Sequence, residues 1–195
     1  MSKQVSEGGS TEKYMIKKAA PWKSLSSVIK LDDSRLVITV DTVLLPNGKA
    51  STYLRESPTD IHSVCIIAVN DSGEIAVQRE YSYPPDAILW QLPGGSMNTG
   101  EAVAAAAIRE LAEESGYSAR QTKIIGHYYT RNRLSNQKQY VVLCTNLYEH
   151  QLPADPDEFI ETYWLTKSKI QTMIGSGEIE NINMLAALNL WFYSH

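Results

Sequence analysis

Glu110, Glu113 and Glu114 are spaced i, i+3 and i+4 in a segment that reads as a helix, so their carboxylates share one face. Like charges at that spacing cost a few tenths of a kcal/mol per pair, and a bound cation relieves them. Oxygen-only ligands favour Mg²⁺, Mn²⁺ or Ca²⁺ over zinc. Three such glutamates also describe a solvated acidic helix face. Arg109, one turn before Glu113, also fits an ordinary surface ion pair. Pro93-Gly94-Gly95, just upstream, ends a strand in a loop whose backbone can come close to a ligand. Asn98 and Glu101 have the spacing of a capping box, with Asn98 as N-cap. Val103, Ala107 and Leu111 form an apolar stripe for packing on a sheet, and Gly116 suits a left-handed stop.

The joint spacing is more specific than any one residue. Gly95, Glu101, Arg109-Glu110-Leu111, Glu113-Glu114 and Gly116-Tyr117 fall in a pattern that resembles the Nudix box, GX5EX7REUXEEXGU with U apolar. Every fixed letter matches; Tyr117 is an aromatic where an aliphatic residue is more usual. At roughly 6% usage per fixed letter, a chance match in this chain is on the order of 10⁻⁶ or less. The resemblance implies an α+β fold, the Nudix α/β/α sandwich, with the box as a loop-helix-loop around several magnesium ions, Mn²⁺ being a possible substitute. It implies Glu110 and Glu114 as direct metal ligands and Glu113 as a further or water-mediated one. Gly94 would offer its backbone carbonyl, Arg109 would orient the glutamates, and Glu101 would support the loop. The implied reaction is hydrolysis of a pyrophosphate bond: metal neutralises the diphosphate, and a water activated by metal and a carboxylate attacks one phosphorus.

Outside the box, from about Trp22 to Leu190, the chain resembles the ADP-ribose pyrophosphatase and nucleotide-sugar hydrolase branch of that family. The residues that carry this are Arg79-Glu80-Tyr81, Trp90 to Gly95, Leu134-Ser135-Asn136, Asp157 to Glu161, and Gly177-Glu178-Ile179. The branch implies a homodimer built through an N-terminal β extension, and a general base on a late acidic loop. Glu158 is the choice for that base, since it lies in a Pro/Asp-rich loop, whereas Glu161 alternates into the following strand. Arg79 is a substrate-binding candidate, and Tyr53 and Trp22 are candidates to stack a purine base or to pack in a core. Two departures bear on the substrate. Ser82 stands where the branch usually has a basic residue, and Arg131-Asn132-Arg133 stands where it usually has a Pro-Gly pair. Arg131 or Arg133 could bind the phosphate in place of a basic residue at position 82, because guanidinium matches phosphate oxygens bidentately. ADP-ribose or a nucleotide sugar is the expected substrate. Dinucleoside polyphosphates, coenzyme A and damaged nucleoside triphosphates are the alternatives within the family. A Nudix-fold binding module without turnover is a third reading; such modules can lose box glutamates, and this chain keeps them all.

The elements that must position these residues follow from periodicity. Residues 1–13 are polar and read as a disordered lead-in, and residues 14–57 as a β extension serving as a dimerisation unit. Leu36 to Val40, Thr42 to Leu45 and Ala50 to Arg55 are strands, with Asn47-Gly48 suggesting a type I′ hairpin turn. After a boundary at Ser57 to Asp60, residues 58–195 form the catalytic domain. Val64 to Val69 and Glu74 to Gln78 flank a second hairpin signal, Asn70 to Gly73. Ile88 to Leu92, Gln139 to Asn146 and Phe159 to Leu165 are further strands. Helices are expected over Glu101 to Ser115, after an N-cap at Thr166, and over Asn183 to Tyr193.

Composition excludes other classes. At 195 residues, 43% hydrophobic and net charge −4, the chain is ordinary for a globular protein and has no basic footprint for nucleic acid or an anionic membrane. No window approaches the ~18 consecutive apolar residues of a membrane span. Cys65 and Cys144 sit far apart in apolar runs and read as buried thiols, with a cytoplasmic location as the default.

Overall fold

The computed structural model describes residues 19–33, 36–57 and 61–193; the expected lead-in at 1–13 and most of the boundary at Ser57 to Asp60 lie outside them. The described chain runs β1 (Lys23–Asp32), β2 (Val37–Leu44), β3 (Ala50–Ser57), β4 (Ser63–Ala68), β5 (Glu74–Ser82), β6 (Ala87–Gln91), α1 (Val103–Ser115), β7 (Tyr117–Tyr129), β8 (Lys138–Glu149), β9 (Ile160–Thr166), α2 (Lys167–Ser176) and α3 (Ile182–Tyr193). The strands form three sheets, ordered β1-β2-β3, β4-β8-β7 and β6-β5-β9.

Strand β4 shows how the layers arise. Its run Val64 to Ala68 is buried throughout, as expected of a strand covered on both faces. Val64, Ile66 and Ala68 point to a core shared with Ala106, Ala107 and Leu111 of α1. Cys65 and Ile67 point to the opposite core, with Met173 of α2 and Met184, Ala187 and Leu188 of α3. The period-2 alternation of one apolar run thus places α1 on one side and α2–α3 on the other. This is the expected α+β sandwich. Burying Leu111 completely contributes roughly 1.5–3 kcal/mol, so the glutamate-bearing helix is fixed by its apolar back.

Several local expectations are corrected. The Asn47-Gly48 turn is not type I′: only Gly48 has positive φ (79°), and its N–H bonds to the Leu45 carbonyl at 2.9 Å. Pro46 fixes a negative φ at the first central position, which favours a type I turn followed by a left-handed glycine. Val64 to Val69 and Glu74 to Gln78 do not make a regular hairpin. After one isolated bridge, Val69 to Ile75, β4 pairs parallel with β8 while β5 joins β6 and β9. β7, thirteen residues long and paired antiparallel with β8, is an element that the sequence pattern does not signal. α1 begins at Val103 with Ala102 as N-cap and no side-chain cap bond, so Asn98 is not its cap. Asn98 and Glu101 still close a turn, the Asn98 N–H donating to Glu101 Oε2 at 2.8 Å, but it precedes the helix. α2 and α3 fall where expected, and the Thr166 hydroxyl caps α2 by accepting from the Lys169 N–H. Cys65 and Cys144 are both free and buried, as expected. Among the described residues no helix is long and apolar enough to cross a membrane.

Candidate active site

The loop before α1 is built around Gly94 and Gly95. It pairs with β4, Val64 N–H to the Gly95 carbonyl at 2.9 Å and Ile66 N–H to the Pro93 carbonyl at 2.8 Å. Gly94 has φ +148°, and a Cβ there would collide with the Val64 carbonyl oxygen. A Cβ on Gly95 would stand 2.6 Å from Glu110 Oε1. Gly94 therefore lets the loop lie against the β4 backbone, and Gly95 leaves the space that the Glu110 carboxylate fills.

Arg109 links three of the glutamates. Its Nε donates to Glu101 Oε1 and its Nη2 to Glu101 Oε2, each at 3.0 Å. Nη1 donates to Glu110 Oε1 at 2.9 Å and Glu113 Oε2 at 3.0 Å, and Nη2 also reaches the Ser96 carbonyl at 3.0 Å. The hydrogen bond to Glu101 is the main reason the guanidinium pKa is raised, and the same contact holds the Glu101 carboxyl below its usual range.

Glu114 faces inward from the same helix. Its Oε2 accepts from Gln78 Nε2 and from the Gly94 N–H, each at 3.0 Å. Burial pushes its carboxyl up to about 8 despite those two bonds, and the charges of Glu110 and Glu158 add to the rise. Glu110, 8% exposed, is also raised, first by burial and then by Glu113 and Glu158, with Arg109 opposing.

Glu158 is brought to this cluster from the loop before β9. An open cavity of about 510 Å³ is lined by Gly95, Ser96, Arg109, Glu110, Glu113, Asp155 and Glu158, among others. Burial raises the Glu158 carboxyl, followed by the charges of Asp155, Glu80 and Glu113. Glu161 goes elsewhere: it accepts from the Tyr163 hydroxyl at 2.8 Å and pairs with Arg79 in the β5–β9 register.

The substrate-binding candidates are not gathered around that cavity. Arg79 lies on β5 with its guanidinium 5.5 Å from the Trp90 ring centre. Trp22 and Tyr53 meet edge to face at 5.7 Å, and with Asp41, Val43, Asn132 and Arg133 they line a separate cavity of about 380 Å³. Trp22 is 52% exposed, and the Tyr53 hydroxyl donates to the Arg133 carbonyl at 2.6 Å. Arg131 is ion-paired with Glu56. Ser96, Asp155 and above all Gln78 are not singled out by the sequence. The available signal for Gln78 is a lone amide ending the apolar run Ile75 to Val77.

A family model described as the NUDIX domain matches residues 60–188. The chain belongs to the NUDIX family. This Nudix protein is 32% identical to an ADP-ribose pyrophosphatase of Bacillus subtilis over 142 residues, 72% of this chain and 76% of that one. It is 31% identical to the ADP compounds hydrolase NudE of Escherichia coli over 134 residues, 67% and 71% of the two chains. A solved structure titled as an ADP compounds hydrolase superimposes with a TM-score of 0.82 at 21% identity, covering 89% of this chain and 94% of the other, and shows the shared fold. The Nudix chain is accordingly a pyrophosphohydrolase of the ADP-ribose pyrophosphatase-like branch.

Proposed function

We propose that this Nudix enzyme hydrolyses the pyrophosphate bond of ADP-ribose or a related nucleoside diphosphate compound, with magnesium held by the box glutamates. The observation that carries this reading is the convergence of Glu158 with Glu110 and Glu113 on one cavity beside the Gly94-Gly95 loop. The donor set suits a hard divalent cation, since it is all oxygen and the Glu110 and Glu114 carboxyls are raised first by burial and then by neighbouring carboxylates. Among the described residues no group of three or more His, Cys, Asp or Glu stands assembled to enclose an ion. Arg109 Nη1 donates to Glu110 Oε1 and to Glu113 Oε2, and the other oxygen of each carboxylate is the one assigned to the cation, with Glu101 and the Ser96 carbonyl holding the rest of the guanidinium.

Glu110, Glu113, Glu114 and the Gly94 carbonyl are the groups assigned to the metal, which when bound supplies charge neutralisation for the diphosphate and activation of water. Glu158 is assigned as the base that takes the proton from the attacking water. A carboxyl raised by burial and like charges is better matched to that task than an ordinary surface glutamate. Water adds at one phosphorus and the bridging oxygen leaves on the other phosphate, so ADP-ribose would give AMP and ribose 5-phosphate.

The Trp22–Tyr53 pair and Arg133 are assigned to the nucleoside and phosphate end of the substrate. Their cavity shares no lining residue with the glutamate cavity, which fits a homodimer in which one protomer's β extension serves its partner's site. Leu25, Val28, Ile29 and Leu31 of β1 are each about half exposed, an apolar surface suited to a second copy. The substrate is tested by a screen of ADP-ribose, GDP-mannose, UDP-glucose, NADH and diadenosine polyphosphates with Mg²⁺. ADP-ribose should show the highest kcat/KM; a preference for diadenosine polyphosphates would overturn the assignment.

A further inference from the structure

β5 carries Ile75, Ala76, Val77 and Gln78 in succession, all with 0% exposure. An apolar residue would fit the fourth position without cost, whereas an amide buried there loses its hydration and needs partners. Gln78 Nε2 has one, Glu114 Oε2 at 3.0 Å. Gln78 Oε1 has none among the described residues. Glu114 Oε2 already accepts from the Gly94 N–H and so meets Gln78 as an acceptor, which turns the NH₂ end of the amide toward Glu114 and leaves the carbonyl end unmatched.

The bonds around Glu114 are one-sided. Oε2 accepts from both Gln78 and the Gly94 N–H, while Oε1 accepts none among the described residues. The neighbour of Gln78 across the sheet, Thr162, donates its hydroxyl to the Glu114 backbone carbonyl at 3.3 Å. One sheet face thus fixes both the backbone and one carboxylate oxygen of this residue.

We propose that Gln78 is a positioning residue for the metal site: its amide holds Glu114 Oε2 so that Oε1 is presented to the cation. The inference rests on the reading of Glu114 as a metal ligand. A partner that orients a ligating carboxylate typically changes metal affinity by about 10–100-fold when removed. A packing role and a positioning role separate cleanly here, because Gln78→Met fills similar space and removes an unmatched buried oxygen.

The test titrates metal-free wild type, Gln78→Met and Gln78→Leu with Mn²⁺, following free Mn²⁺ by electron paramagnetic resonance, and records each protein's melting temperature in EDTA. The expected result is a dissociation constant raised about tenfold or more in both variants, with melting temperatures in EDTA unchanged or higher. The effect of Gln78→Met should vanish in a Glu114→Gln background. Equal Mn²⁺ affinity in wild type and Gln78→Met overturns the inference alone. A fall in EDTA melting temperature that parallels the loss of binding in both variants makes Gln78 a packing residue and also overturns it. Wild type that binds no Mn²⁺ overturns the metal-site reading and the inference with it.

Discussion

Arg109 grips Glu101 with two parallel hydrogen bonds, Nε to Oε1 and Nη2 to Oε2, each 3.0 Å long. The pair ties α1 to the turn that precedes it, so the loop bearing Gly94 and Gly95 and the helix bearing the carboxylates are held as one unit. Lysine cannot reproduce a two-point grip, because its ammonium is a point donor. Arg109→Lys and Glu101→Gln should each lower kcat/KM by roughly 10–100-fold. A double-mutant cycle on denaturant unfolding should give a coupling of about 0.5–3 kcal/mol. Because Glu101 is held below its usual range, its contribution is present at neutral pH and is lost as pH falls through its lowered pKa.

Glu158→Gln should reduce kcat by about 10²- to 10⁴-fold, the range of a general base, and leave Mn²⁺ affinity within a few-fold of wild type. Glu161→Gln, whose carboxylate is engaged by Tyr163, should leave kcat near wild type. Steady-state kinetics on both variants checks the assignment. The reverse pattern would move the base to Glu161.

Metal-free protein should lose stability as pH rises. Glu114 is pushed from the usual 4.5 to about 8, and Glu110 and Glu158 are raised as well. Between those limits the folded state holds protons that the unfolded state has released, so the contribution is full below about 4.5 and is lost as pH climbs through about 8. Melting temperatures in EDTA should therefore fall from pH 5 to pH 8, and saturating Mg²⁺ should reverse the trend at the alkaline end. A melting temperature in EDTA that rises steadily over this range would contradict the burial of these carboxyls.

Removing residues 1–57 should yield a monomer without activity on ADP-ribose. It deletes Trp22 and Tyr53, and with Glu56 it deletes two ties to the 131–136 loop: the ion pair to Arg131 and the Glu56 N–H bond to the Leu134 carbonyl. Within the full chain, Arg133→Ala should raise KM with little change in kcat. Arg131→Ala should act by breaking its pair with Glu56, lowering the melting temperature. Unchanged kinetics in both arginine variants would remove this loop from the substrate site. A fully active monomer would dispose of the shared-site picture.

The box, its helix and its glycine loop are legible in the sequence because they are local: spacing and a 3.6-residue period fix them within one segment. The closing helices are legible for the same reason. β7 is not, because Tyr117 to Tyr129 mixes Arg, Gln, Lys and His among its apolar residues and is ordered by pairing with β8. The turn at Asn47-Gly48 departs from type I′ because Pro46 outweighs the asparagine preference. Gln78 depends on a contact 36 residues away in the chain, which no local pattern encodes. The separation of Trp22 and Tyr53 from the glutamate cavity is likewise a matter of tertiary arrangement.

The central claim is most directly tested by following ADP-ribose cleavage by wild type and Glu114→Gln with Mg²⁺ and with EDTA, detecting AMP and ribose 5-phosphate. Wild type should turn over with Mg²⁺ and stop in EDTA, and Glu114→Gln should lose at least ~10²-fold in kcat/KM while remaining folded. Undiminished cleavage in EDTA, or by Glu114→Gln, would contradict the account.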